Sequence, residues 1–166
     1  KNRNSLAILT GDETMEELLK LSNDIFQYYG LGCRSVSKLF VPKDYNFDAF
    51  FEAMYHWNPI INGAKYANNY DYNKAVYLMS EFKMLENGFL MIKEDESYAS
   101  PIATLFYEHY DSLESLQKQL NVDADKIQCI VSNQLSEDHL PFGSTQTPQL
   151  EDYADGVDTV DFLLKI

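Results

Sequence analysis

Cysteine is scarce in this chain: Cys33 and Cys129 are the only two in 166 residues. Two thiols far apart cannot build a disulfide framework, and a chain of this length buries enough of its surface to need none. Reduced thiols in a cytoplasmic protein are therefore expected, unless the fold brings the pair together. Basic residues are also few, 13 against 26 acidic ones, for a formal net charge of −13. That balance repels nucleic acid and anionic membrane, and no local basic patch offsets it. Long apolar runs are missing: "FLMI" and "CIV" fall far short of a membrane span, and "KNRNSLAILTG" lacks a signal peptide's apolar stretch. A soluble protein is expected. His56, His109 and His139 are widely separated, without HxxxH or CxxC spacing, which gives a metal site no support. No GxGxxG, Walker loop or GxSxG occurs, so no phosphate or dinucleotide cradle is expected here. The chain begins without methionine and enters an apolar run at once, as a piece of a longer protein would.

The hydrophobic pattern alternates strands and helices. "SLAIL" reads as a buried strand. Met15, Leu18, Leu19, Ser22, Ile25, Phe26 and Tyr29 then fall on one helical face, opened by a Thr14–Glu17 capping box or by Asp12, and stopped by Gly30. "SVSKLFV" alternates like a half-buried strand. Phe47, Phe50, Phe51, Met54 and Trp57 predict a helix that Asn58-Pro59 ends. "INGAKYANNYD" fits a loop or a short helix, and helical spacing resumes through Ala75, Leu78, Met79, Phe82 and Leu85. Asn87-Gly88 turns the chain into the strand "FLMIK". After the acidic loop "EDESYASP", "IATLFYEHY", "DSLESLQKQLN" and "KIQCIVS" form strand, helix and strand, a βαβ unit with parallel strands. The remainder is rich in turn formers and closes with a short helix or strand. The class is α/β.

The two cysteines differ in setting. Cys129 lies inside "IQCIV", where a small apolar side chain on a buried strand needs no other role. Cys33 lies in "YYGLGCRS", where Gly30 and Gly32 permit a tight turn and leave space beside the sulfur. A nucleophile needs a held Cα, N–H groups aimed at a developing oxyanion, and room for substrate. On these features alone a cysteine in a Gly-x-Gly turn is more often a packing residue than a nucleophile. The carboxyl end of a helix running to Gly30 disfavours a thiolate. Arg34 and Lys38 offset this only if they point toward the sulfur, and strand alternation sets Arg34 opposite it. The acidic run "KEDESY" reads as a solvated loop, the tyrosines from Tyr66 to Tyr77 as packing and surface cover, and "LPFGSTQ" as a turn.

Taken in order, these segments resemble the catalytic domain of the aldehyde dehydrogenase superfamily over nearly the whole chain. "SNDIFQYYGLGCRSVSKLFVPKDYNFDAF" is most similar to fatty acyl-CoA reductases related to the bacterial bioluminescence reductase, and "PFGSTQTPQLEDYADGVDTVDFL" resembles the tail of that branch. The resemblance implies an aldehyde-dehydrogenase-like domain spanning residues 1–166, with a mostly parallel sheet flanked by helices, cut from a larger two-domain protein. It implies that Cys33 takes an acyl group from acyl-CoA, that its own N–H is an oxyanion donor, and that NADPH, or NADH, reduces the thioester to an aldehyde. A thioester stays electrophilic enough to accept hydride; an ester resists it. Tyr29, His139, Leu140 and Phe142 are the residues expected to face the acyl group.

Two departures qualify the resemblance. The glutamate base of hydrolytic members would lie upstream of Lys1. Ser97, in "SYASP", stands where a Glu-x-x-Gly-Pro motif has the glutamate that holds the nicotinamide ribose. The cofactor-binding domain is accordingly expected upstream. Rival readings are an aldehyde dehydrogenase that oxidises aldehydes to acids, and a non-catalytic acidic module that binds a protein partner. Expected partners are acyl-CoA, a second copy in a homo-oligomer, and enzymes of aldehyde or fatty-acid metabolism.

Overall fold

A computed structural model describes residues 4–133, 139–149 and 157–165. Six strands form one sheet: β1 (Asn4–Ile8), β2 (Val36–Pro42), β3 (Met84–Glu86), β4 (Met91–Glu94), β5 (Thr104–Tyr110) and β6 (Ile127–Ser132). Their order is β3-β4-β5-β2-β1-β6. Only the β3–β4 hairpin is antiparallel, turning at Asn87-Gly88, where Gly88 has φ 91°. The remaining pairs are parallel. The βαβ expectation holds in its direction, and β5 and β6 are separated by β2 and β1.

Alternation along the strands sorts side chains to two faces. Ala7, Leu9, Leu39 and Val41 enter the larger core, with Leu18, Leu21, Ile25 and Phe26 of α1 (Met15–Phe26) and Phe50 and Met54 of α2 (Asp48–Met54). Leu6, Ile8 and Phe40 face the other way, against Leu116 and Leu120 of α4 (Leu113–Val122). The sheet is thus covered on both faces, as parallel sheets must be. Capping boxes open α1 at Thr14 with Glu17 and α4 at Ser112 with Ser115. Such caps stabilise by about 1 kcal/mol each.

Several expectations change; among them, the helix expected through Phe82 and Leu85 ends at Met79, and Leu85 lies in β3. β2 is not half-buried, because neighbours on both sides and layers on both faces enclose it: even Lys38 is 0% exposed. The stretch after Met54 continues through Asn62 as a 3₁₀ helix with Pro59 inside it. "INGAKYANNYD" contributes to one long helix, α3 (Ala64–Met79), which buries Tyr66, Tyr70, Asn73 and Tyr77 and leaves Leu78 and Met79 exposed. The buried tyrosines have apolar bodies and polar tips that find partners. Tyr66 donates to the Phe89 carbonyl at 3.0 Å, Tyr70 to the Glu86 carboxylate, and Asn73 Nδ2 to the Ile102 carbonyl at 3.0 Å. Near the end of the chain, α5 (Thr159–Leu164) resolves the helix-or-strand choice as a helix.

Glu86 ties the hairpin to α3. The Tyr70 hydroxyl, then Lys74 at 2.9 Å and the Gly88 N–H at 2.9 Å, hold its carboxyl down to about 2. A carboxyl lowered on folding stabilises above its unfolded value and loses that contribution as pH falls through the folded one. Between the ordinary value of 4.5 and about 2, stability should therefore fall with pH. Urea unfolding across this window should show a shallower fall in Glu86→Gln; an unchanged slope would remove Glu86 from the acid response.

Candidate active site

The chain reaches Cys33 through an unusual path. α1 ends at Phe26 rather than at Gly30, and Tyr28, Tyr29 and Gly30 follow at φ 56°, 62° and 69°. Consecutive left-handed residues cost L side chains about 1–2 kcal/mol each and persist where the surroundings fix them. Glycine is favoured at position 30, where φ is 69° and an added Cβ would lie 3.1 Å from the Ile25 carbonyl oxygen. The helix end thus lies seven residues before the sulfur's residue, and its dipole fades within the last turn.

Beyond this run the chain makes a turn from Gly32 to Ser35 with Cys33 and Arg34 at its corner. Ser35 closes it twice: its N–H donates to the Gly32 carbonyl at 2.9 Å and its hydroxyl accepts the Gly32 N–H at 3.2 Å. Gln146 donates to the same hydroxyl at 3.3 Å. The Cys33 carbonyl accepts from the hydroxyl of Ser5, a fully buried residue of β1, at 2.9 Å. Arg34 donates from Nε to the Thr145 carbonyl at 2.5 Å. The backbone of the turn is pinned on several sides, while Cys33 itself is exposed. Cys129 is buried, and both thiols are free.

The loop that receives Arg34 is itself anchored. Asp24 of α1, 0% exposed, accepts the Gly143 N–H at 2.6 Å, the Thr145 N–H at 3.0 Å and the Thr145 hydroxyl at 2.8 Å. Burial pushes its carboxyl up; these donors and the Arg34 charge pull against it without reversing the direction. Neither cation considered from sequence is seen bonded beside the thiol. Arg34 binds the loop, and Lys38 crosses to the other face of the sheet, where Nζ meets Glu108 at 2.5 Å and the Glu96 carbonyl at 2.8 Å.

The stretch leading into the turn walls a cavity of roughly 530 Å³, lined by Tyr29, Leu31, Gly63, Ala64, Tyr66 and Ile102, among others. Its size is that of a small-molecule site. Tyr29 is the one of the four expected acyl-facing residues that lines it. Phe142 is buried in the larger core, Leu140 packs against that core, and His139 is half-buried at the start of the loop. The sequence did not reveal Ser5, which bonds the Cys33 carbonyl, Thr145, which bonds Arg34, or Asp24, which holds the loop carrying Thr145; an isolated Ser or Asp on an amphipathic element carries no periodic signal.

Ser97 opens onto a polar cavity of roughly 390 Å³ that Glu96, Glu108 and Asp123 also line. Lys126 also lines it but is paired with Asp123 at 2.5 Å, so carboxylates outnumber cations there and this cavity disfavours a pyrophosphate. That cavity does not fit a nicotinamide dinucleotide.

No family model matches the sequence, and no curated protein matches it. Among solved structures, the chain is similar to an indole-3-acetaldehyde dehydrogenase in complex with NAD⁺, at 12% identity and a TM-score of 0.52, covering 81% of this chain and 38% of that one. The fold is aldehyde-dehydrogenase-like. Further similarities are to a mutant of the P. syringae indole-3-acetaldehyde dehydrogenase AldA in complex with NAD⁺ and IAA (12% identity, TM-score 0.49, 70% of this chain and 30% of that one) and to a mutant aldehyde dehydrogenase from Bacillus cereus (12%, 0.46, 86% and 40%). The chain thus spans well under half the length of each. Among the described residues no helix is long and apolar enough to cross a membrane, and no group of three or more His, Cys, Asp or Glu is placed to hold a metal ion.

Proposed function

We propose that this chain carries the acyl-accepting thiol of a cytoplasmic acyl-CoA reductase, with Cys33 as nucleophile. One observation carries the reading: an exposed thiol on a turn whose backbone is bound to buried Ser5 and closed by Ser35, with Cys33 two residues after Leu31, which with Tyr29 walls a cavity. The similarity of residues 22–50 to fatty acyl-CoA reductases supports the choice of thioester over aldehyde as the first substrate. Cys33 Sγ attacks the thioester carbonyl carbon, the bond from that carbon to the CoA sulfur breaks, and CoA departs with the proton that Cys33 gives up. A pinned Cα contributes by keeping the sulfur in attacking geometry, and the Cys33 N–H is the oxyanion donor in this reading. The acyl chain takes the cavity beside Tyr29. Release of the acyl group as aldehyde calls for a hydride donor of the NADPH or NADH class. Its site belongs, in this reading, to a separate upstream domain, as the resemblance implies.

Single-turnover mixing of the full-length protein with long-chain acyl-CoA, in the absence of reduced nicotinamide, tests the reading by the CoA released. One equivalent of free CoA per protein should appear in a burst and then stop. No CoA release at any chain length, with aldehyde oxidation in the presence of NAD⁺, would replace the reductase by a dehydrogenase.

A further inference from the structure

Asp24 sits on α1, nine residues before Cys33, and the acyl-transfer chemistry does not use it. It is a carboxylate with no exposed surface, and its bonded donors all come from a loop more than a hundred residues away. That loop has a second attachment. The same Thr145 whose N–H and hydroxyl bind Asp24 offers its carbonyl to Arg34, and the next residue, Gln146, binds the hydroxyl of Ser35 that closes the cysteine turn. A chain of hydrogen bonds therefore runs from Asp24 through Thr145 to Arg34, the residue that follows Cys33. Burying a carboxylate is costly unless donors meet it, and here the donors that meet it are those of the loop gripping the turn.

We infer that Asp24 is a positioning residue for the nucleophile: by fixing the loop from Gly143 to Gln146, it sets where Arg34 and Ser35 hold the Cys33 turn. The inference rests on the reading of Cys33 as nucleophile, and it concerns how the thiol is placed. Asp24 touches no reacting atom. A loop held only for stability would lower the folded population of a variant without changing the reactivity of the molecules that remain folded. A positioning role changes that reactivity, and does so through Arg34.

Three variants test this in the full-length protein: Asp24→Asn, Thr145→Val, which keeps the backbone N–H, and Arg34→Met, which leaves the buried carboxylate in place. Two rates are read on folded protein, acylation of Cys33 by acyl-CoA and its alkylation by iodoacetamide followed by peptide mapping. Each variant should slow acylation about tenfold in kcat with KM within about twofold, as expected when geometry and not binding is lost. Thr145→Val with Arg34→Met should be no slower than the worse single variant, since both break one chain. Multiplying effects, or folded variants with wild-type rates of both reactions, would overturn the inference. If Asp24→Asn fails to fold, the other two variants still decide it. If the wild type accepts no acyl group, the reductase reading fails, and the alkylation rates still show whether the chain of bonds controls the thiol.

Discussion

Cys33→Ala should abolish the CoA burst and lower aldehyde formation by on the order of 10⁴-fold, the scale of loss when a covalent nucleophile is removed. Stability should change by less than about 0.5 kcal/mol, as for substitutions at exposed positions. The two expectations belong together. The turn is held through its backbone and its neighbours: Ser5 binds the Cys33 carbonyl, Ser35 closes Gly32, and Arg34 reaches Thr145. The sulfur takes no part in these bonds, so its loss leaves the scaffold intact. A steady-state assay beside urea unfolding separates the effects. If instead the variant keeps its activity, or loses several kcal/mol, Cys33 is a packing residue.

Glu108→Ala should destabilise the protein by about 3 kcal/mol. Lys38 Nζ ends in the sheet interior, with the Glu108 carboxylate, the Glu96 carbonyl and the ring faces of Phe40 and Tyr98 around it. Removing one partner of a buried pair strands the other charge, which costs about 3–5 kcal/mol. The lower end applies, because the Glu108 side chain is 25% exposed and the carbonyl and rings remain. Lys38→Met should cost less, about 1 kcal/mol. It removes the buried charge while keeping most of the volume, and Glu108 retains the hydrogen bond from Gln119 and access to water. Urea unfolding of both variants checks the order. Equal losses, or a larger loss for Lys38→Met, would mean that packing around the lysine stem outweighs its charge.

Much of the fold was legible because periodicity reports burial. β1, the α1 capping box and the strand-helix-strand order of the later part follow directly from apolar spacing and cap residues. α3 was misread for a physical reason. Its buried stripe is Tyr66, Tyr70, Asn73 and Tyr77, which pattern analysis scores as polar, while Leu78 and Met79 attract the eye and face outward. Lys38 misled in the same manner: a charged residue in an alternating strand reads as solvent-facing, and partners distant in the chain, Glu108 and the Glu96 carbonyl, make its burial tolerable. In the site, the glycine turn and its thiol were readable as local chemistry. Ser5, Asp24 and Thr145 were not, since each acts through a bond to a residue distant in the chain. The expectation that Phe142 and Leu140 face an acyl group came from resemblance alone, and their place is at the core.

The most direct measurement is the mass of the protein after incubation with a long-chain acyl-CoA and no reduced nicotinamide, followed by peptide mapping. A gain of one acyl group, carried by the peptide containing Cys33, absent in Cys33→Ala and discharged as aldehyde when NADPH is added, is the expected result. An unmodified protein whose Cys33 also resists alkylation in the folded state would contradict the nucleophile assignment and leave the turn a structural feature.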